Sequence, residues 1–333
     1  ETAVKTVLLT GITGFIAKRI AHDLLEKRYH VRGSLRSAKR ADEVRAVVGD
    51  ASNLSFVELD LTKDAGWTEA MDGVDVLMHT ASPFPIANPK DEQQVIGPAV
   101  GGTMRALHAA QAAGVNRVVL TSSMVAMMYV DRPKGHRFGP DDWTDVNHLT
   151  ANAYIKSKTL AEKAAWDFVK AHPEMKMTTI HPGLVCGTPM DIHYGSSLEV
   201  IERLWSGKDP MSPMIWLPVV DIADVSALHI AAMENDTSIG ERVVATDDTM
   251  TFPQIAEALK ELYPQRKIAT KVAPKMLLSV LSLFDRDLKS VLPQVGREVL
   301  INNDATEKLF DFTFIPGKDA AQTSAKFINA HKG

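Results

Sequence analysis

The sequence predicts an α/β protein: a doubly wound parallel sheet followed by a smaller, mostly helical lobe. Three observations carry this expectation. Over the first 185 residues short apolar runs alternate with helical patterns, a repetition that favours a parallel sheet with helices on both faces. The runs are nearly continuous in Val, Leu, Ile and Met, as strands covered on both sides require. At 333 residues the chain is too long for one small core and suits one large α/β domain with an attached lobe.

Six runs read as strands: "KTVLLT" (5–10), "HVRGSL" (30–35), "LSFVEL" (54–59), "VDVLMHT" (74–80), "NRVVLTSS" (116–123) and "MKMTTIHP" (175–182). Between them lie helical patterns near 15–28, 38–48, 91–113 and 152–171, with a short helical turn around 66–71. Beyond Pro182 the rhythm changes. "GTPMDIHYGSS" is a Gly/Ser-rich loop and "SGKDPMSPMIWLP" packs in three prolines, both breakers of regular structure. "VDIADVSALHIAAM" (220–233) reads as a capped helix and "ERVVAT" (241–246) as one more strand. From Thr251 onward helices such as "FPQIAEALKELY" and "GKDAAQTSAKFINAH" are joined by irregular segments. The expected division is a nucleotide-binding domain over 1–185 plus about 215–246, and a substrate lobe over about 186–214 plus 247–333. The lobe is expected over the C-terminal edge of the sheet, where such folds bind ligands.

Composition narrows the function. Apolar residues make up 45% and charged residues 23%, an ordinary globular balance. A net charge of −4 lacks the basic excess of a nucleic-acid or anionic-membrane binder. No apolar run approaches the roughly 20 residues of a membrane span, and "ETAVKTVLLT" enters a strand pattern without a basic leader. The single cysteine, Cys186, rules out an intrachain disulfide and fits a reducing compartment. The expectation is a soluble, cytoplasmic protein.

"LLTGITGFIAKRI" (8–20) sits at the first strand-to-helix turn. Gly11 can take the tight turn, Gly14 lets backbone approach a pyrophosphate, and Ala17 is the small residue where helix and strand pack. Free N–H groups at the helix start favour phosphate. The spacing is G-x-x-G-x-x-A, and turn glycines alone would explain it, but its place directly after the first strand favours a dinucleotide.

About 20 residues further on, an NAD-binding chain should offer Asp or Glu to the ribose hydroxyls. No acidic residue lies between Glu26 and Asp42; the interval holds Lys27, Arg28, Arg32, Arg36, Lys39 and Arg40. Arg36 ends the second strand and Arg40 follows one helical turn later. A guanidinium there suits a 2′-phosphate, and one charge-assisted bond would favour NADP over NAD by roughly ten- to a hundredfold. The alternative is a solvated basic face. Asp60 and Leu61, at the end of the third strand, are weaker candidates for the adenine.

"NAYIKSKTLAEKAAW" (152–166) sets Tyr154 and Lys158 four positions apart, on one face of a helix. A free phenol has a pKa near 10; a cation one turn away, helped by bound nicotinamide, lowers it. Such a phenol can protonate a carbonyl oxygen as hydride reaches the carbon. Ser123, closing "RVVLTSS", lies on the same sheet edge and could hold that oxygen, or it could simply end a strand.

Taken together, these residues resemble the extended short-chain dehydrogenases/reductases, a Rossmann-type family, and most closely its dihydroflavonol reductase-like group with its ketone and aldehyde reductase relatives. The resemblance spans nearly the whole chain and is tightest over 5–185, on "TGITGFIA", "SLRSAKR", "LDLT", "HTASPF", "PAVGGT", "VVLTSS", "YIKSK" and "HPGLVCGT". It implies NADP(H) as cofactor and a Ser123–Tyr154–Lys158 triad. It also implies Gly11, Gly14, Phe15 and Ile16 at the pyrophosphate, Arg36 and Arg40 at the 2′-phosphate, and Asp60 and Leu61 at adenine. Thr80, Ala81 and Ser82 would run along the cofactor, Tyr154 would contact it, Lys158 would reach the nicotinamide ribose, and Pro182, Gly183 and Val185 would lie near nicotinamide. Ser197 is a further implied contact.

Two departures bear on substrate and proton supply. Plant dihydroflavonol reductases carry an asparagine five positions after the triad serine; here that residue is Met128, within "MVAMMYV". A flavonoid therefore loses weight against a less polar ketone or aldehyde. Many short-chain enzymes also have an asparagine before "V-x-G-T" that relays protons from the lysine; this chain has Ala99, so water or backbone must serve. His79 and His181 belong to no spaced ligand set, and no metal is expected. Cys186 reads as packing more than nucleophile, and Met127, Met128 and Tyr129 as pocket or core. The expected function is NADPH-dependent reduction of a small-molecule carbonyl, by a monomer or homodimer. An epimerase or dehydratase, a steroid-type dehydrogenase, and a non-catalytic NADP sensor are the rivals.

Overall fold

The computed structural model describes residues 3–83 and 89–333; Phe84 of the "HTASPF" stretch lies outside them. The chain begins with β1 (Thr6–Thr10), α1 (Phe15–Glu26), β2 (His30–Leu35), α2 (Ala41–Val48) and β3 (Leu54–Glu58). Next come α3 (Trp67–Ala70), β4 (Val76–His79), α4 (Gln93–Ala112), β5 (Arg117–Thr121), the short β6 (Arg137–Phe138) and α5 (Ala153–Ala171). β7 (Lys176–Pro182), β8 (Leu184–Cys186), α6 (Gly195–Ser206), β9 (Trp216–Asp221), α7 (Ile222–Glu234), β10 (Arg242–Ala245) and β11 (Thr249–Thr251) follow. The chain ends with α8 (Phe252–Leu262), α9 (Lys275–Leu281), α10 (Arg286–Val291), β12 (Leu300–Ile301), α11 (Asp304–Phe310) and α12 (Gly317–Lys332).

The main sheet runs β3-β2-β1-β4-β5-β7-β10, and every pairing from β3 through β7 is parallel. The chain winds outward from β1 to β3, then returns to place β4 on the other side of β1. That reversal makes the C-terminal ends of β1 and β4 a topological switch point, the place where open α/β sheets bind ligands. The strand interiors explain why the sheet forms. Val7, Leu8, Leu9, Leu77, Met78, Val118 and Val119 are all buried between helix layers, each side chain contributing about 1.5–3 kcal/mol. α4 and α5 pack against each other on one face.

The chain divides into two compact units: residues 1–126, 153–181 and 226–243, and residues 127–152, 182–225 and 244–333. The second unit has helices and sheets of its own. β9 pairs with β8 in parallel and with β11 antiparallel, and β12 pairs with β6. Its core joins Ile201, Leu204 and Trp205 of α6, Val219 of β9, Ile255 and Leu259 of α8, and Ala325 and Ile328 of α12. α8 starts on a capping box, with Thr251 accepting from the Gln254 N–H and Gln254 answering to Thr251 N–H. α7 begins where the sequence signals a cap, the Asp221 carboxylate accepting from Ala223 N–H. Among the described residues no helix is long and apolar enough to cross a membrane.

Candidate active site

The loop after β1 is built for close approach. Gly11 sits at φ +68°, and a Cβ there would lie 2.9 Å from the Ala81 Cα. Its N–H donates to Ser34 Oγ at 2.9 Å, and Ile12 N–H to the Ser34 carbonyl, so the end of β2 shapes the turn. α1 then starts at Phe15 with Gly14 as an extended N-cap, no capping side chain and no acidic residue in its first turn. Uncapped N–H groups and the positive helix end face outward together, an arrangement that fits a pyrophosphate. Phe15 and Ile16, in that first turn, are half-buried.

Thr10, the last residue of β1, ties the turn to β4. Its Oγ1 accepts the N–H groups of Thr80 (3.1 Å) and Ala81 (3.0 Å), while Thr80 Oγ1 donates to the Thr10 carbonyl. Thr80 and Ala81 thus run beside the glycine turn. Ser82, next along, accepts a 3.3 Å hydrogen bond from Lys158 Nζ.

Ser123, Tyr154 and Lys158 all lie in the first unit. Ser123 follows the end of β5, and its Oγ accepts the Val125 N–H at 3.2 Å. Its hydroxyl neighbours the Tyr154 phenol and draws the phenol's pKa down. Lys158, one turn along α5, places its ammonium 5.9 Å from the centre of the Tyr154 ring. Desolvation raises the phenol above its ordinary value and the Ser123 hydroxyl only partly offsets this. The ring is 42% exposed, which keeps that rise smaller than for an enclosed phenol. Burial lowers Lys158 to about 8. In the protein alone, then, the lysine does not by itself make the phenol acidic.

Residues 7–245 match the model of the "NAD dependent epimerase/dehydratase family". The chain belongs to this family. Within it, the chain falls in the extended short-chain dehydrogenase/reductase class, in the dihydroflavonol reductase-like group. It is 31% identical to cinnamoyl-CoA reductase CAD2 of Medicago truncatula, over 80% of this chain and 83% of that one. It is 30% identical to the NADPH-dependent methylglyoxal reductase of Saccharomyces cerevisiae, over 79% of this chain and 84% of that one. The crystal structure of yeast methylglyoxal/isovaleraldehyde reductase complexed with NADPH superimposes with a TM-score of 0.82 at 26% identity, covering 98% and 99% of the two chains.

The remaining residues that the family resemblance implicates stand as follows. Arg36 is exposed after β2. Arg40 is held by Glu43, through Nε at 3.1 Å and Nη2 at 3.0 Å. The rest of the basic stretch is partly structural: Arg32 donates to the Ala70 and Asp72 carbonyls and Lys27 pairs with Glu234. Asp60 folds its own loop, accepting from the N–H (2.9 Å) and hydroxyl (2.7 Å) of Thr62, and those bonds hold its carboxyl below the ordinary range. Leu61 packs beneath Gly102 of α4.

Pro182, Gly183, Val185 and Ser197 lie in the second unit. Pro182 ends β7, and Val185 is buried in β8 opposite Val220. A Cβ at Gly183 would come within 2.6 Å of the Pro218 carbonyl oxygen, so packing alone demands a glycine. Ser197 is half-buried in the first turn of α6. Met127, Met128 and Tyr129 are buried, the packing alternative. Cys186 is buried too, its thiol pushed up to about 12 by desolvation, a state without nucleophilic character at neutral pH.

One cluster behind Ser123 is not apparent from composition. Glu162, buried on α5, accepts from Arg242 at 2.7 and 2.9 Å, from Trp166 Nε1 at 2.9 Å and from Ser122 Oγ at 3.3 Å. Its Oε2 lies 3.2 Å from His181 Nε2, and His181 Nδ1 donates to the Ser123 carbonyl at 2.9 Å. The cluster fixes the backbone of Ser123. A signal existed: Tyr154, Lys158 and Glu162 recur every fourth residue, along one helical stripe.

Proposed function

We propose that this chain reduces a ketone or aldehyde to the alcohol, with Tyr154 as the general acid. It is an oxidoreductase of the NADP(H)-dependent carbonyl-reducing kind, as its relatives are named. The observation that carries the finer reading is the Ser123 hydroxyl beside the Tyr154 phenol, with the Lys158 ammonium 5.9 Å from that ring on the same helical face.

The bound cofactor supplies the hydride. Ser123 Oγ, free to rotate its proton, holds the carbonyl oxygen beside the phenol. Tyr154 gives its proton to that oxygen, and the Lys158 ammonium stabilises the phenolate left behind. Lys158 and Ser82, already bonded to each other, border the cofactor's nicotinamide end. Gly11, Gly14, Phe15 and Ile16 receive the pyrophosphate, Thr80 and Ala81 flank it, and Arg36 with Arg40 takes the 2′-phosphate. Asp60 and Leu61 border the adenine; Pro182, Gly183 and Val185 lie near the nicotinamide, Ser197 is a further cofactor contact, and the residues beyond Thr188 shape substrate selectivity. The absence of any acidic residue between Glu26 and Asp42 supports NADP(H) over NAD. The single buried cysteine supports a cytoplasmic setting, and action as a monomer or homodimer is part of the same reading.

The test is a screen of NADPH oxidation over ketones, aldehydes and dihydroflavonols, run beside Tyr154→Phe. Turnover of a ketone or aldehyde by the parent chain, abolished in the variant, supports the assignment. Cofactor binding with no turnover across the panel would point to a sensor instead.

A further inference from the structure

We propose that α9 and the turn after it form the contact through which two copies of this chain pair about a two-fold axis. The contact does not depend on the chemistry proposed for Tyr154. Among the described residues eleven large apolar side chains are exposed, and six of them fall within nine residues: Met276, Leu277, Val280, Leu281, Leu283 and Phe284.

Their spacing makes one surface. α9 runs over Lys275–Leu281, and its turn is continued by Leu283 N–H donating to the Val280 carbonyl and Phe284 N–H to the Leu281 carbonyl. Met276, Val280 and Leu283 recur at i, i+4 and i+7, as do Leu277, Leu281 and Phe284. That is the stripe a surface helix ordinarily buries. Here it points outward. The inward residues are Leu278, which joins a core with Ile215, Ala273 and Val295, and Ser282, whose hydroxyl donates to the Ser279 carbonyl.

What covers the stripe follows from size and charge. At ordinary side-chain areas the six residues expose on the order of 600–700 Å². An ordinary monomer shows no apolar patch beyond about 300–600 Å², and a standard interface takes about 800 Å² from each partner; with its polar rim this surface matches the second. Lys275 stands immediately before the run and Asp285 immediately after it, both exposed. Asp285 also caps α10, accepting from Asp287 and Leu288 N–H, and its charge acts on Arg203, which Asp209 already holds. Opposite charges at the two ends make the surface complementary to itself in antiparallel orientation. Centred on Val280, midway between those charges, the pairing sets Lys275 opposite Asp285 of the partner subunit and Met276 opposite the partner's Phe284. Val280 then lies on the axis and meets its own copy. An anionic lipid surface would instead be repelled by the Asp285 carboxylate at the rim.

Sedimentation velocity and light scattering of the parent chain should give twice the monomer mass at micromolar concentration, the weak end for an interface of this size. Phe284→Asp, at a position 86% exposed, should weaken pairing by at least about a hundredfold while the Kd for NADPH stays within about twofold. Lys275→Glu should weaken it by about tenfold, because like charges then meet. Adding Asp285→Asn, which keeps the α10 cap, should recover most of that loss. Mild oxidation of Val280→Cys should link two copies through that position, whereas the parent chain, whose Cys186 is buried, should not cross-link. A parent chain that stays monomeric, pairing that survives Phe284→Asp, or Val280→Cys that does not cross-link would each overturn the proposal. So would a monomer that sediments with phosphatidylserine vesicles through Phe284, which would give the stripe to lipid. If Phe284→Asp fails to fold, the Val280→Cys cross-link still decides. Loss of turnover in Tyr154→Phe bears on the proposed function and leaves this contact untouched.

Discussion

Lys158 stands one helical turn from Tyr154 with its ammonium 5.9 Å from the ring centre, and donates to Ser82 at 3.3 Å. The lysine is therefore placed to serve a ligand bound beside Ser82 as much as the tyrosine. Its charge is present below about pH 8 and lost above, because burial disfavours the ammonium. Since reduction leaves a phenolate that this charge must stabilise, kcat/KM should fall as pH rises through about 8. A profile measured with NADPH and a reducible aldehyde checks this; a plateau extending well beyond that value would separate Lys158 from the chemistry.

Tyr154→Phe removes the acid and keeps the ring. Loss of general-acid catalysis should lower kcat by about 10²–10⁴. Because the ring remains in place and only its hydroxyl is deleted, the Kd for NADPH should move by no more than about threefold. Stopped-flow hydride transfer and equilibrium titration separate the two effects.

Both arginines after β2 have partners: the Arg36 charge acts on the Asp60 carboxylate, and Arg40 is held by a two-pronged contact. Arg40 is already engaged by the Glu43 carboxylate through two hydrogen bonds, and that pairing draws Glu43 below the ordinary carboxylate range. A 2′-phosphate must share or displace that carboxylate to use Arg40. Arg36→Ala should then cost about tenfold to a hundredfold in NADPH affinity, and Arg40→Ala roughly threefold. NADH affinity should hardly change in either variant. Equal losses in the two would mean that Glu43 yields on binding.

Acid stability should report on the cluster behind Ser123. Burial would raise the Glu162 carboxyl, but His181 and Arg242 overturn that and bring it to about 2, against an ordinary 4.5. A carboxyl with a depressed folded-state pKa contributes stability that is full above its unfolded value and disappears as pH falls through the folded one. Urea midpoints should therefore drop between about pH 4.5 and pH 2. Glu162→Gln should flatten that slope and, by removing the buried charge that Arg242 and His181 face, cost about 3–5 kcal/mol at neutral pH.

The parts of this molecule that were legible in the sequence are those where local chemistry suffices. The glycine turn could be read because its small residues follow a strand directly, and the helix of Tyr154 and Lys158 because the period is regular over nineteen residues. β9 was not legible: "WLPVVD" contains Pro218 and follows a proline-rich segment, and its partners are the three-residue strands β8 and β11. Such a strand is specified by pairing, not by propensity. The burial of Glu162 is not legible from its helix alone; His181 and Arg242, the latter eighty residues away, make that burial tolerable. Thr10 and His79 are likewise invisible until β1 and β4 pair in register.

Gly11 offers a test in which strain and collision can be separated. Gly11 and Gly73 have nearly the same backbone, φ +68° and +70°. A Cβ at Gly73 meets nothing within 4 Å, whereas at Gly11 it meets the Ala81 backbone at 2.9 Å. Gly73→Ala should therefore show conformational strain alone, about 1 kcal/mol. Gly11→Ala adds a collision that the Ala81 backbone cannot relieve without breaking its bond to Thr10. Its denaturation midpoint should fall further than that of Gly73→Ala, and NADPH binding should weaken by at least about tenfold as the turn shifts from the start of α1. Equal midpoints for the two variants would show that the turn can open without loss, and that its tightness is not what shapes the phosphate site.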